Sequence, residues 1–116
     1  IEAQRVTTER EKQRKPSPSS RTVGQSTRFG KAKRRLHEKE QLELDQHVRK
    51  ILDDPLIGEA KKGALAGVRV LKFKVDRQQY LLAYEFNEKR NVIELLDLGS
   101  HENFYRDLQN YIEDRQ

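Results

Sequence analysis

"VRVLKFKVDRQQYLLAYEFNEKRNVIELLDL", residues 68–98, decides the fold of this 116-residue chain. It contains three β-type runs, 68–75, 80–86 and 92–98, separated only by "DRQQ" and "NEKRN". Runs rich in branched and aromatic residues, joined by links this short and polar, pair as antiparallel neighbours. In the second run Tyr80, Leu82, Tyr84 and Phe86 alternate onto one face, which marks them as core.

Working upstream, "LIGEAKKGALAG" (56–67) holds three glycines and reads as an irregular connection, while Asp53, Asp54 and Pro55 stop whatever precedes it. What precedes it is helical. Phe29, Ala32 and Leu36 fall on one helical face, and Leu44, Val48, Ile51 and Leu52 on another. The step from Leu36 to Leu44 turns an apolar stripe by roughly 80°, so a hairpin broken near residues 37–41 is expected rather than one straight helix. "RTVGQS" (21–26) suits a short edge strand. Downstream, Ser100 can cap a final helix whose Phe104, Leu108, Tyr111 and Ile112 recur at i, i+4, i+7 and i+8. The order (β)ααβββα predicts a two-layer α+β domain, with helices on one face of a small antiparallel sheet and the other face open.

Charge divides the chain in two. Residues 1–35 carry 11 Lys/Arg against 3 Asp/Glu, net +8, whereas residues 36–116 carry 13 against 16, net −3. The basic balance therefore belongs to the N-terminal third. Residues 1–20, with Ile1, Ala3 and Val6 as their apolar residues and a Pro/Ser-rich end, bury too little to order themselves and read as a tail or arm, leaving 21–116 as the domain. Such a segment suits a polyanion or an acidic partner, or serves as a solvated tail. Cysteine is absent, so disulfides and thiolate metal sites are excluded. No stretch approaches a membrane span or a signal-peptide core, and a soluble, cytosolic protein is expected.

Few residues offer chemistry. Lys72 and Lys74 alternate with Leu71, Phe73 and Val75, which sets both ammonium groups on the face opposite those apolar side chains, roughly 7 Å apart, the spacing of successive phosphates. A solvated strand face would look the same. Arg69, Lys61 and Lys62 lie near in sequence and add to the basic character. His101 follows a strand end, a glycine and a cap serine. It is open to two readings, a polar residue at the mouth of the fold or a general acid or base. Tyr105 points about 100° from the Phe104 stripe, and either edges the core or presents its ring and hydroxyl to a ligand. His37 and His47 share no ligand spacing with His101, and no phosphate-cradling glycine loop or paired catalytic carboxylates occur, so neither metal nor cofactor is expected.

Taken in order, "DDPLIGEAKKGALAGVRVLKFKV", "YLLAYEF" and "VIELLDLGSHENFYRDL" resemble the RelE/ParE superfamily of bacterial type II toxin–antitoxin toxins, over roughly residues 21–112. The resemblance implies a helical hairpin on a small antiparallel sheet with a C-terminal helix. It also implies a metal-independent endoribonuclease that cuts mRNA on the ribosome through attack of a ribose 2′-OH and is held in check by a cognate antitoxin, the pair often binding operator DNA. By the same resemblance Lys72 and Lys74 match the cations that hold phosphates and transition-state charge. His101 matches the acid or base after the last strand, and Tyr105 the residue that positions the nucleotide. Arg69, Lys61, Lys62 and Arg77 are the further cations available to nucleic acid. One position departs: Leu81 stands where RelE-like enzymes carry an arginine. Loss of that clamp removes transition-state stabilisation unless another cation, such as Arg69 or Arg77, supplies it. ParE-like members, which poison DNA gyrase and do not cut RNA, are the alternative this leaves.

Overall fold

The computed structural model describes residues 20–100 and 103–115. The order is β1 (Thr22–Gln25), α1 (Thr27–Arg34), α2 (Glu38–Asp53), β2 (Glu59–Ala60), a 3-10 turn (Gly63–Leu65), β3 (Arg69–Val75), β4 (Gln78–Asn87), β5 (Val92–Gly99) and α3 (Phe104–Arg115). Five strands form one sheet in the order β1-β5-β4-β3-β2. β2 to β5 are antiparallel neighbours, and β1 joins β5 in parallel, as the edge strand expected at 21–26. Among the described residues no helix is long and apolar enough to cross a membrane.

The helical hairpin breaks where the apolar stripe turns. α1 opens on Ser26, whose Oγ accepts from the Phe29 amide at 2.9 Å and donates to the Leu96 carbonyl at 2.7 Å, so one side chain caps the helix and ties it to β5. α2 opens on His37, where the Glu40 carboxylate accepts from the His37 amide. The hairpin lays Phe29, Leu44 and Ile51 against Phe73, Tyr80, Leu82, Tyr84, Ile93 and Leu95 on one side of the sheet. "DDPLIG", after α2, folds back over the same side. The Tyr84 hydroxyl donates to the Pro55 carbonyl at 2.7 Å and accepts from the Gly58 amide at 2.9 Å. A Cβ on Gly58 would stand 2.8 Å from that ring, so this approach requires glycine.

In one respect the structure departs from the two-layer expectation: α3 does not lie with the hairpin. Its Phe104, Leu108 and Ile112 pack on the opposite side of the sheet, over Val70, Leu81, Ala83 and Leu96, with Leu65 and Val68 beside them. The reason is visible in β4, where "YLLAY" is apolar at every position and therefore buried on both sides. A β-bulge adds to it. Ala83 pairs with Asp97 and Tyr84 with Leu95, so Leu96 is an extra residue that turns to the α3 side. The face called open is thus open only in part, towards β3.

Candidate functional site

That uncovered part is built by β2 and β3. Cross-strand partners share a face, so the register Lys72 with Leu81, Lys74 with Gln79 and Val70 with Ala83 sets both lysines on the α3 side of the sheet. Lys72 and Lys74 are exposed, and neither ammonium is in an ion pair among the described residues. α3 covers the neighbouring apolar ground, and Tyr105 in its first turn is half-buried against that cluster.

β2 adds the remaining polar groups. Glu59 pairs with Val70, and the Lys61 amide donates to the Val68 carbonyl at 2.9 Å, so both side chains rise on the lysine side. The Lys61 ammonium donates to Glu59 Oε1 at 2.8 Å and lies 4.9 Å from the centre of the Tyr105 ring. Glu59 is held below the usual carboxylate range, first by its hydrogen bond from Lys61 and also by the nearby charge of Lys72. Lys61 is raised above the usual lysine value, chiefly by Glu59 with Tyr105 contributing. The Tyr105 hydroxyl is buried, and among the described residues nothing accepts its proton. The neighbouring Lys61 ammonium can only donate towards the phenol oxygen, so it leaves the hydroxyl proton without an acceptor.

The other sequence-nominated residues fall elsewhere. Lys62 is exposed beside the 3-10 turn, at the margin of this group. Arg77 is exposed in the β3–β4 turn, beyond Lys74. Arg69 pairs with Tyr84 and so faces the hairpin side, where its Nη1 donates to the carbonyls of Leu56 and Gly58 at 3.1 and 2.7 Å. It is occupied in holding the connection, away from the lysines. His101 lies outside the described residues, as do residues 1–19. The chain reaches its position from Gly99, which pairs with Leu81 and whose Cβ, if it had one, would stand 2.7 Å from the Phe104 ring. Leu81 itself is buried on the lysine side, directly across from Lys72. His47 stacks on Phe73 at 4.5 Å and serves the hairpin side.

Sequence reading had left Glu59 unremarked; its spacing to Lys61, two residues on, was the signal that they share a strand face. It also missed a cleft of about 550 Å³ at the β5 edge, between α1 and α3. There Arg28 bridges three elements. It donates to buried Asp97 on β5 at 2.8 Å and lies over the Tyr111 ring of α3.

Known proteins place this architecture. The free state of an arginine-substituted mutant of Escherichia coli RelE is similar at a TM-score of 0.66 and 18% identity, covering 83% of this chain and 97% of that one. The intact E. coli RelBE toxin–antitoxin complex matches at 0.59 and 21%, covering 71% and 98%. The RelBE2 toxin–antitoxin complex of Mycobacterium tuberculosis matches at 0.62 and 17%, covering 71% and 99%. No curated protein matches. At these identities the likeness establishes the fold. The family rests on a sequence model, that of the ParE-like toxin of type II bacterial toxin–antitoxin systems, which matches residues 23–109. With most of the domain inside that match and its fold shared with the RelE toxins, the chain belongs to the RelE/ParE family of type II toxin–antitoxin toxins.

Proposed function

We propose that this toxin is a ribosome-dependent mRNA endonuclease, metal-independent, and neutralised by a cognate antitoxin. The observation that carries the reading is the pair Lys72 and Lys74, exposed and, among the described residues, free of ion pairs on the partly uncovered side of the sheet, which Tyr105 borders. Two ammonium groups one pleat apart neutralise successive phosphates of a single strand. In this reading they also stabilise the charge that grows on the phosphorus-bound oxygens as the ribose 2′-OH attacks. Tyr105 orients the nucleotide, and His101, two residues after Gly99, transfers the proton. The antitoxin, in this reading, acts by covering the lysine side.

Leu81 favours a second reading, the gyrase poison of ParE type. It puts a buried apolar side chain across from Lys72, where a nuclease of this family would carry its arginine. The two readings part on one experiment. Under the first, Lys72→Ala and His101→Ala relieve growth inhibition on induced expression while the protein stays folded, and the wild type leaves codon-linked cuts in messages. Unchanged toxicity of both variants, with DNA breaks that depend on gyrase, selects the second.

A further inference from the structure

The Tyr105 hydroxyl is an anomaly of this fold. Among the described residues its proton has no acceptor, and a buried donor left so is costly and calls for a use. Three features surround it. The Lys61 ammonium crosses the ring at 4.9 Å, Glu59 holds that ammonium at 2.8 Å, and Lys72 stands close enough to Glu59 to bias its charge. A lysine that lies over the ring of a tyrosine whose hydroxyl lacks an acceptor, and that is itself held by a carboxylate, has the shape of an anion site filled by the protein's own anion. A phosphate oxygen offers what each member lacks. It accepts the Tyr105 proton, and it takes the place of Glu59 on Lys61 with a charge-assisted hydrogen bond.

We propose that Lys61 and the Tyr105 hydroxyl form a subsite for one phosphate group of the RNA strand that lies on Lys72 and Lys74, and that Glu59 closes it in the ligand-free protein. The subsite rests on the lysine-side reading above and extends it by one phosphate towards β2. Entry of the strand draws Lys61 away from Glu59, uncovers the hydroxyl and gives its proton an acceptor. Glu59 competes with that strand, so the site discriminates against weak anions by requiring them to displace a carboxylate.

The test is binding of a short 2′-O-methyl RNA oligonucleotide, which cannot undergo 2′-OH attack, measured by fluorescence anisotropy at low salt together with the melting temperature of each variant. Tyr105→Phe is expected to weaken binding about tenfold, the value of a hydrogen bond to a charged group, while its melting temperature is unchanged or higher because a buried donor without an acceptor is gone. Glu59→Gln is expected to tighten binding by about three- to fivefold, the scale of an exposed ion pair. Lys61→Met, which keeps the stem over the ring, weakens binding. Tyr105→Phe that binds like the wild type, or that melts lower, overturns the subsite, as does Glu59→Gln that fails to tighten binding. A Lys72→Gln/Lys74→Gln control separates the two claims. If it loses binding while the Tyr105 and Glu59 variants do not respond, only the subsite fails; if it binds like the wild type, the lysine-side reading fails and the subsite with it.

Discussion

On the hairpin side of the sheet, polar groups that enter the core are tied to something. Tyr84 bonds the Pro55 carbonyl and the Gly58 amide, Tyr80 donates to Glu40, and Arg69 holds two loop carbonyls. On the α3 side, burial stops where α3 stops. Beyond it stand, among the described residues, two lysines without ion pairs and a lysine held by a carboxylate, and at its first turn the Tyr105 hydroxyl, whose proton has no acceptor among those residues. Both sides belong to the same strands, so their difference is set by alternation along β3 and β4 and by what packs above. The comparison separates residues that hold the fold from residues free to meet a ligand, even though they are neighbours in sequence.

The largest effect expected from that contrast is on stability. Leu82 is fully buried on the hairpin side, and Leu82→Ala should destabilise the protein by about 3 kcal/mol, through lost burial and the cavity left behind. Its sequence neighbour by ten positions, Lys72, is exposed on the other side, and Lys72→Gln should stay within about 0.5 kcal/mol of the wild type in the same urea unfolding experiment. Comparable losses from the two substitutions would break the division between the sides.

The sequence carried much of this architecture and little of the site. The turning of the apolar stripe between Leu36 and Leu44 placed the hairpin break, because helical periodicity is local and dense enough to read. The stripe of Phe104, Leu108 and Ile112 announced α3 for the same reason. The side on which α3 packs was not legible, since an amphipathic helix states that it needs a partner surface and not which one. The run "YLLAY" was compatible with both, and the bulge at Leu96 is a register event that a strand pattern does not encode. The i, i+2 spacing of Glu59 and Lys61 carries a signal only once a strand is known there, and β2, with two residues, is too short to be read as a strand from the sequence. Lys72 and Lys74 were placed on a common face by alternation alone, whereas Arg69, equally basic and nearby, faces the hairpin side; proximity in sequence is a poor guide where each step along a strand reverses the side.

A smaller effect sharpens the same comparison through pH. Glu40 is held below the usual carboxylate range, first by the hydrogen bond from the Tyr80 hydroxyl and then by the His37 amide. A carboxyl lowered in the folded state contributes stability that is fully present above its ordinary value of 4.5 and is lost as pH falls through the folded value. Thermal melts of the wild type should therefore decline as pH drops below about 4.5, and Glu40→Gln should flatten that part of the decline. An identical acid limb in the variant would remove Glu40 from the account of the hairpin side. Tyr80, raised to about 12 mainly by burial and then by Glu40, acts at the opposite end. Its contribution is present below the ordinary tyrosine value of 10.0 and is lost as pH rises from there through the folded value.

The central claim is that the lysine side of the sheet acts on RNA within the translating ribosome. Its most direct test is a translating extract programmed with one defined message, with the message's 5′ ends mapped after addition of wild-type toxin or of the Lys72→Gln/Lys74→Gln variant. The account predicts new ends at codon-linked positions with the wild type, dependent on translation, and none with the variant at equal folded concentration. A message left intact by the wild type, or cut equally by both proteins, would contradict it.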